Sequence, residues 1–326
     1  MSISRFRTLA AVMFLIAVLS VPGFAKPGNA PGVKLVKGKD AVDVLVGGKL
    51  FTRYVFAGAP QPYCYPIIGP TGKPLTRNYP MKQVAGETND HPHHRSLWFT
   101  FGDVNGIDFW TETSKAGKIV HRRFDKLESK PGFGWMRTTN DWIGRDGKKV
   151  CEDTRDIRVY SGTTGDRVMD FAVTIRATEG PVKLGDTKEG MLGIRVADSI
   201  TVDKGKGHIQ LSGGETDGKA WGKQADWCDF YGRVDGKTVG IAVLEHPTSF
   251  RHPTYWHART YGLLGANPFG LKDFTGDKTK DGSCTIPKGM SRTFRYRIII
   301  HKGDTRQADI AGRYAAYVES PNSSKQ

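Results

Sequence analysis

Short runs in which apolar and polar side chains alternate recur along most of the chain, each closed by Gly, Asp or Pro. A period of two marks a strand with one buried face, so the pattern points to sheets rather than helices. Residues 42–46 end on Gly47-Gly48, a two-residue hairpin signal, and residues 50–56 resume the alternation. Later strands are predicted over 97–101, 156–160, 167–177, 190–198, 228–234, 238–245, 255–261 and 293–301. The 40 glycines among 326 residues fit this reading, because tight turns use the positive φ that glycine adopts freely. One helix is expected near the C-terminus, with Asp304 as N-cap, Ile310, Tyr314 and Val318 along one face, and Pro321 closing it. The fold class is therefore all-β: a large antiparallel β-sandwich with a short C-terminal helix, one domain over residues 26–320 and a polar tail at 321–326.

Residues 1–25 read as a secretory signal peptide. Arg5 and Arg7 precede an apolar run from Thr8 to Val21, and Gly23 and Ala25 are small residues before a cleavage point at Lys26. The run falls short of the roughly 20 residues that a membrane span needs, and no later stretch approaches it. The expectation is export to the periplasm or the extracellular space, without stable membrane insertion. Cleavage removes two arginines and no acid, lowering the formal charge from +15 to +13. The remaining Lys and Arg are scattered rather than clustered with aromatics. This disfavours a nucleic-acid partner and suits either attraction to anionic glycans or plain solubility. Cys64, Cys151, Cys228 and Cys284 contain no C-x-x-C pair, so two disulfides and buried free thiols are both open.

No dinucleotide-binding glycine turn, phosphate-binding loop, nucleophile elbow or H-E-x-x-H helix is present, which removes the commonest nucleotide-dependent and hydrolytic chemistries. Chemistry-bearing residues gather instead in three places. The first is Asp90-His91-Pro92-His93-His94-Arg95, followed by Trp98, Asp103 and Asp108. Imidazoles there suit acid–base catalysis or metal ligation. An extended chain from His93 puts His94, Ser96 and Trp98 on one face, with His93, Arg95 and Leu97 on the other. The second runs from Glu245 to Arg259, where His252 lies in a loop and Tyr255, His257 and Arg259 share a strand face opposite Trp256. An aromatic ring, an imidazole and a guanidinium together suit a polar, ring-shaped ligand with an anionic group. The third is residues 185–196, in which Leu192, Ile194 and Val196 turn to the core and Glu189, Met191, Gly193 and Arg195 turn away. Glu189 is the candidate general base and Arg195 an electrostatic clamp, with Gly193 keeping the wall low for a ligand. Trp227, Asp229 and Tyr231, with Trp221 and Lys223 nearby, offer a stacking surface beside a carboxylate, a pairing that suits sugars.

Several of these stretches, taken whole, resemble a known family. Asp90-His91-Pro92-His93-His94-Arg95-Ser96-Leu97-Trp98, Gly102-Asp103-Val104-Asn105-Gly106-Ile107-Asp108-Phe109-Trp110, Gly185-Asp186-Thr187-Lys188-Glu189-Gly190-Met191, His252-Pro253-Thr254-Tyr255-Trp256-His257 and Ala266-Asn267-Pro268-Phe269-Gly270 are similar to the bacterial PmoA-like family, a domain of unknown function that carries a methane oxygenase label. The resemblance spans about Pro62 to Tyr317. It implies a β-sandwich akin to galactose mutarotase and polysaccharide lyase domains, in bacteria that degrade complex glycans. It brings no catalytic residues with it.

The leading reading is an exported carbohydrate-active enzyme, an epimerase, lyase or hydrolase, acting on a carbohydrate or other polar small molecule. Its acid–base residues are drawn from His91, His93, His94, Glu189, His252 and His257. Substrate contacts are expected from Arg95, Trp98, Asp103, Asp108, Arg195, Trp227, Asp229, Tyr255, Trp256 and Arg259. No cofactor is required. The alternatives are a metalloenzyme or oxygenase with a divalent or transition metal on His91, His93, His94, His252 or His257, and a non-catalytic glycan-binding module.

Overall fold

The computed structural model describes residues 32–162 and 165–320. The signal segment 1–25 and the tail 321–326 lie outside the described residues. Two antiparallel sheets face each other across one core. The first has nine strands, in spatial order Val33–Lys37, Ala41–Val46, Lys49–Val55, Tyr63–Cys64, Leu97–Phe101, Gly190–Arg195, Leu263–Asn267, Tyr255–Ala258 and Lys223–Gln224. The second has eight, in the order His208–Leu211, Trp227–Val234, Lys237–Glu245, Ser291–Lys302, Arg167–Arg176, Lys149–Ser161, Phe133–Ile143 and Lys118–Lys130.

Alternation decides which side chains meet between the sheets. Leu97, Phe99, Phe101, Leu192 and Ile194 of the first sheet share one core with Ile157, Val159, Phe171, Val173, Ile241 and Phe294 of the second. Val196 joins that core, and so does Met191, which the alternation had assigned to the opposite face. A buried polar tie reinforces the packing. Arg155, fully buried, is clamped by Asp153 at 3.0 Å and donates to the carbonyls of Pro62 (3.2 Å) and Phe99 (3.1 Å), so it bridges the two sheets with its own charge paired. Cys64, Cys151 and Cys228 are buried free thiols, and Cys284 is a half-buried one.

Lys118–Lys130 and Phe133–Ile143 escape the period-two reading for a physical reason. The former is a largely exposed edge strand, and bulges between His121 and Arg123 and between Phe124 and Lys126 shift its phase. The latter carries Thr138, Thr139, Asn140 and Asp141 at buried positions where an apolar residue would have signalled a strand.

The C-terminal helix, Ile310–Glu319, begins later than Asp304. Asp309 is the N-cap and accepts from the Gly312 amide, while Asp304 Oδ1 accepts from the Gln307 amide (2.8 Å) in the preceding turn. Its buried positions are Ile310 and Tyr317, with Tyr314 partly covered; Val318 points outward. The helix covers Trp227, Leu244 and Ile299 on the outer face of the eight-stranded sheet.

The outer face of the nine-stranded sheet has a different roof. Tyr63, Trp98, Trp110 and Leu263 form a small second core there, with Tyr65, Met81 and Tyr261 packed at its border.

Candidate functional site

The first histidine segment lies on that roof. Its strand starts only at Leu97, and His91 and Ser96 adopt positive φ, so the chain coils over residues 91–96 instead of alternating. All three imidazoles therefore come together. His91 stacks on His94 at 4.7 Å and His93 meets His94 edge-on at 4.6 Å. Trp98 lies beneath, 5.2 Å from both His94 and Trp110. Burial and the neighbouring His91 lower the His93 pKa to about 4, and burial holds His94 well below the usual histidine range. His91, 41% exposed, is the accessible member.

Two buried guanidiniums anchor this segment. Arg77 and Arg195 both donate to Asp90 Oδ1, the latter at 2.8 Å, while Asp90 Oδ2 lies 3.1 Å from His91 Nδ1. Arg77 also donates to the His91 carbonyl at 3.0 Å. Desolvation opposes ionisation of Asp90, but Arg195 and Arg77 outweigh it and pull the carboxyl below its usual range. In the neutral His91 ring the carboxylate favours the tautomer with its proton on Nδ1, which places the lone pair on Nε2. Arg195 Nη1 is 3.3 Å from His94 Nδ1, which must be the unprotonated nitrogen to accept it.

Around Tyr261 this cluster meets the other two. The Tyr261 ring stacks on His91 at 5.3 Å, with Arg195 over it at 4.6 Å and Arg259 at 5.6 Å. Arg259 also lies over Trp221 at 5.8 Å, and Trp221 meets His257 edge-on at 6.5 Å. His257 donates Nδ1–H to the Lys188 carbonyl (3.0 Å), and burial lowers its pKa to about 4, so it is a neutral ring with its lone pair on Nε2. Glu189 is partly buried and 3.5 Å from Lys188. Burial raises its pKa despite that ammonium, and His91 is near enough to act on it electrostatically. A shallow depression of about 300 Å³ is lined by Gly218, Trp221, Ala258, Arg259 and Thr260, and a smaller one of about 120 Å³ is lined in part by Tyr261.

His91, His93, His94, Glu189, Arg195, His257 and Arg259 thus share one region. Tyr255 borders it, stacked on Phe274 at 5.4 Å. Other expectations are corrected. Arg195 pairs with Asp90 and is too buried to clamp a ligand. Gly193 leaves no open wall: a Cβ there would lie 2.6 Å from the Trp98 ring, which fills the space. Trp98 and Trp256 are fully buried and present no stacking face. Arg95 is spent on Glu112, at 2.5 and 2.7 Å. Asp103 accepts from the Gly106 amide (2.9 Å) and Asp108 from the Trp110 amide (2.7 Å), so both shape turns.

Three residues lie elsewhere. Trp227 is under the C-terminal helix, and Asp229 is fully buried between His301 Nε2 (3.0 Å) and Thr305 Oγ1 (2.7 Å). His252 is held between Glu245 (3.0 Å) at the end of an eight-stranded-sheet strand and Asp226 (3.3 Å). A ligand set for a metal does not form: among the described residues no three His, Cys, Asp or Glu side chains are arranged to hold one. The stacked and edge-on contacts of His91, His93 and His94 point the rings at one another instead of at a common centre.

Sequence reasoning missed Arg77, Lys188 and Tyr261. Counting by twos from Tyr255 through His257 and Arg259 reaches Tyr261, but the strand ends at Ala258 and the chain turns, with the Gly262 amide donating to the Arg259 carbonyl (2.8 Å). No periodic signal marks Arg77 or Lys188.

Residues 41–315 match a family of unknown function, DUF6807. The chain belongs to the DUF6807 family. This corrects the resemblance to the PmoA-like family, and with it the methane oxygenase association. No curated protein matches the sequence. Among solved structures, the DUF6807 chain is similar to an alpha-galactosidase from Lactobacillus brevis, at 8% identity and a TM-score of 0.42, covering 84% of this chain and 40% of that one. It is similar also to a galactose mutarotase-like protein from Clostridium acetobutylicum (8% identity, TM-score 0.35, covering 84% and 99%). An aldose epimerase homologue from C. elegans follows (9% identity, TM-score 0.33, covering 84% and 99%). No helix among the described residues is long and apolar enough to cross a membrane.

Proposed function

We propose that this protein is an exported carbohydrate-active enzyme working by proton transfer, with the outer face of the nine-stranded sheet as its active site. One observation carries the reading: the two carboxyl groups near His91 and Tyr261 are driven in opposite directions. Asp90 is kept ionised by Arg195 and Arg77, whereas burial pushes Glu189 toward its protonated form. Separated carboxyl environments of this kind divide acid from base. Glu189 is the proton donor rather than the general base expected from the sequence, because burial favours its protonated form. His91, polarised by Asp90 at Nδ1, takes a proton at Nε2. Arg77 and Arg195 are positioning residues that fix Asp90, and Tyr261 supplies a ring face beside the reacting groups.

Within this class the geometry favours epimerisation or elimination over glycoside hydrolysis by paired carboxylates. Hydrolysis needs a second carboxylate free to act as nucleophile or to activate water. Asp90 Oδ1 is already shared by two guanidiniums and Oδ2 faces His91. The test is turnover of an oligosaccharide panel in D2O, followed by NMR. Deuterium at an epimerised ring carbon, or an unsaturated ring formed by elimination, with the wild type, and lost in Glu189→Gln and His91→Gln, is the expected result. Undiminished turnover by Glu189→Gln overturns the assignment.

A further inference from the structure

We infer that the depression lined by Trp221 and Arg259 is a subsite for a carboxylate on the sugar ring, so that the protein's ligands are acidic, uronate-type saccharides. The inference rests on the proposed site and deepens it by naming the ligand class. Its basis is an imbalance of donors. Of the guanidiniums at the site, Arg77 and Arg195 share Asp90, while Arg259 has no acid partner and no side-chain hydrogen bond among the described residues. The two rings it lies against, Trp221 and Tyr261, are cation–π partners that leave its N–H groups without an acceptor.

Those N–H groups lie in the guanidinium plane and form a fork that fits the two oxygens of a carboxylate. The depression that Arg259 lines has room for a sugar-sized group, about 300 Å³, and its other walls, Gly218, Ala258 and Thr260, carry no charge. Trp221 lines the same depression with its ring against Arg259. A guanidinium without an acceptor beside an uncharged hollow calls for an anionic partner from outside. A neutral sugar offers only hydroxyls, which do not neutralise Arg259.

The experiment titrates the protein with a galacturonate disaccharide, the matching galactose disaccharide and galactose 6-sulfate, by calorimetry. The uronate is expected to bind at least about tenfold more tightly than the neutral sugar, the margin of a charge-assisted hydrogen bond. Arg259→Gln should erase that preference, with a much smaller loss for the neutral sugar. Trp221→Phe, which shrinks the aromatic ring that Arg259 lies over, should weaken uronate binding several-fold and serves as a second variant should Arg259→Gln fold poorly. Equal binding of uronate and neutral sugar overturns the inference, as does an Arg259→Gln variant that retains the preference. Tight binding of the sulfate alone, dependent on Arg259, overturns the assignment to a carboxylate. Arg259-dependent uronate binding with neither deuterium exchange nor an unsaturated product would sink only the proton-transfer reading. Glu189-dependent exchange on neutral sugars with no role for Arg259 would sink only this one.

Discussion

The two outer faces of the sandwich each hold a tryptophan, an aspartate and a histidine, and they put them to different ends. On the eight-stranded sheet, Trp227 is roofed by Ile310 and Tyr317, and Asp229 places one oxygen on His301 and the other on Thr305. On the nine-stranded sheet, His91 is exposed, and Trp98 Nε1, Trp110 Nε1, Trp221 Nε1 and Arg195 Nε are buried without partners. Identical residue types thus make a covered structural pair on one face and a cluster with an accessible imidazole on the other. What separates them is whether a distant segment covers the pair.

The largest effect that can test this contrast is Asp229→Ala. Asp229 and His301 are both fully buried, and removing one member of such a pair costs about 3–5 kcal/mol. Denaturant unfolding should show that loss, with saccharide binding by the surviving folded protein unchanged. Altered ligand affinity would mean that the two faces communicate and that the contrast is false.

The same pair gives a pH signature. Desolvation works against the charged His301 ring, but Asp229 outweighs it and raises the folded pKa above the unfolded value of about 6.5. The pair's contribution is therefore complete below about pH 6.5 and is lost as pH rises through the folded pKa. The stability gap between wild type and Asp229→Ala should narrow over that window; a gap that widens with pH would contradict a charged His301.

Gly193→Ala probes the other face at lower cost. The new methyl would press on the Trp98 ring at 2.6 Å, and overpacking of this kind costs about 1–3 kcal/mol. Because Trp98 carries His94, and His94 carries His91, saccharide affinity should fall together with stability. Lost stability with full affinity would detach the aromatic stack from the site.

These contrasts also show what the sequence could and could not tell. Alternation located Leu97–Phe101 and the inward triplet Leu192, Ile194 and Val196, because successive side chains of a strand point to opposite faces, even here where both faces are covered. It brought Tyr255 and His257 to one face for the same reason. It could not separate Asp229 from Asp90, since the cover over Asp229 comes from Thr305 and the helix Ile310–Glu319, far along the chain. His252 was misplaced likewise: its partner Glu245 ends a strand of the other sheet. Arg77 was invisible because its role depends on Asp90 and Arg195, which only the folded chain brings together.

Glu189→Gln should have the smallest effect on stability and one of the largest on chemistry. Burial raises the folded pKa of Glu189 above its unfolded value, so the folded state holds the ionised group less comfortably than the unfolded chain does. As pH climbs from the unfolded pKa toward the folded one, the unfolded chain gives up its proton first and stability declines. Glutamine keeps the shape and abolishes that liability. At neutral pH the variant should therefore unfold at the wild-type midpoint or slightly above it, while losing the 10²- to 10⁴-fold typical of a general acid or base. A clearly destabilised variant would instead make Glu189 a structural partner of Lys188, and the two outer faces would then be alike in their closed ion pairs.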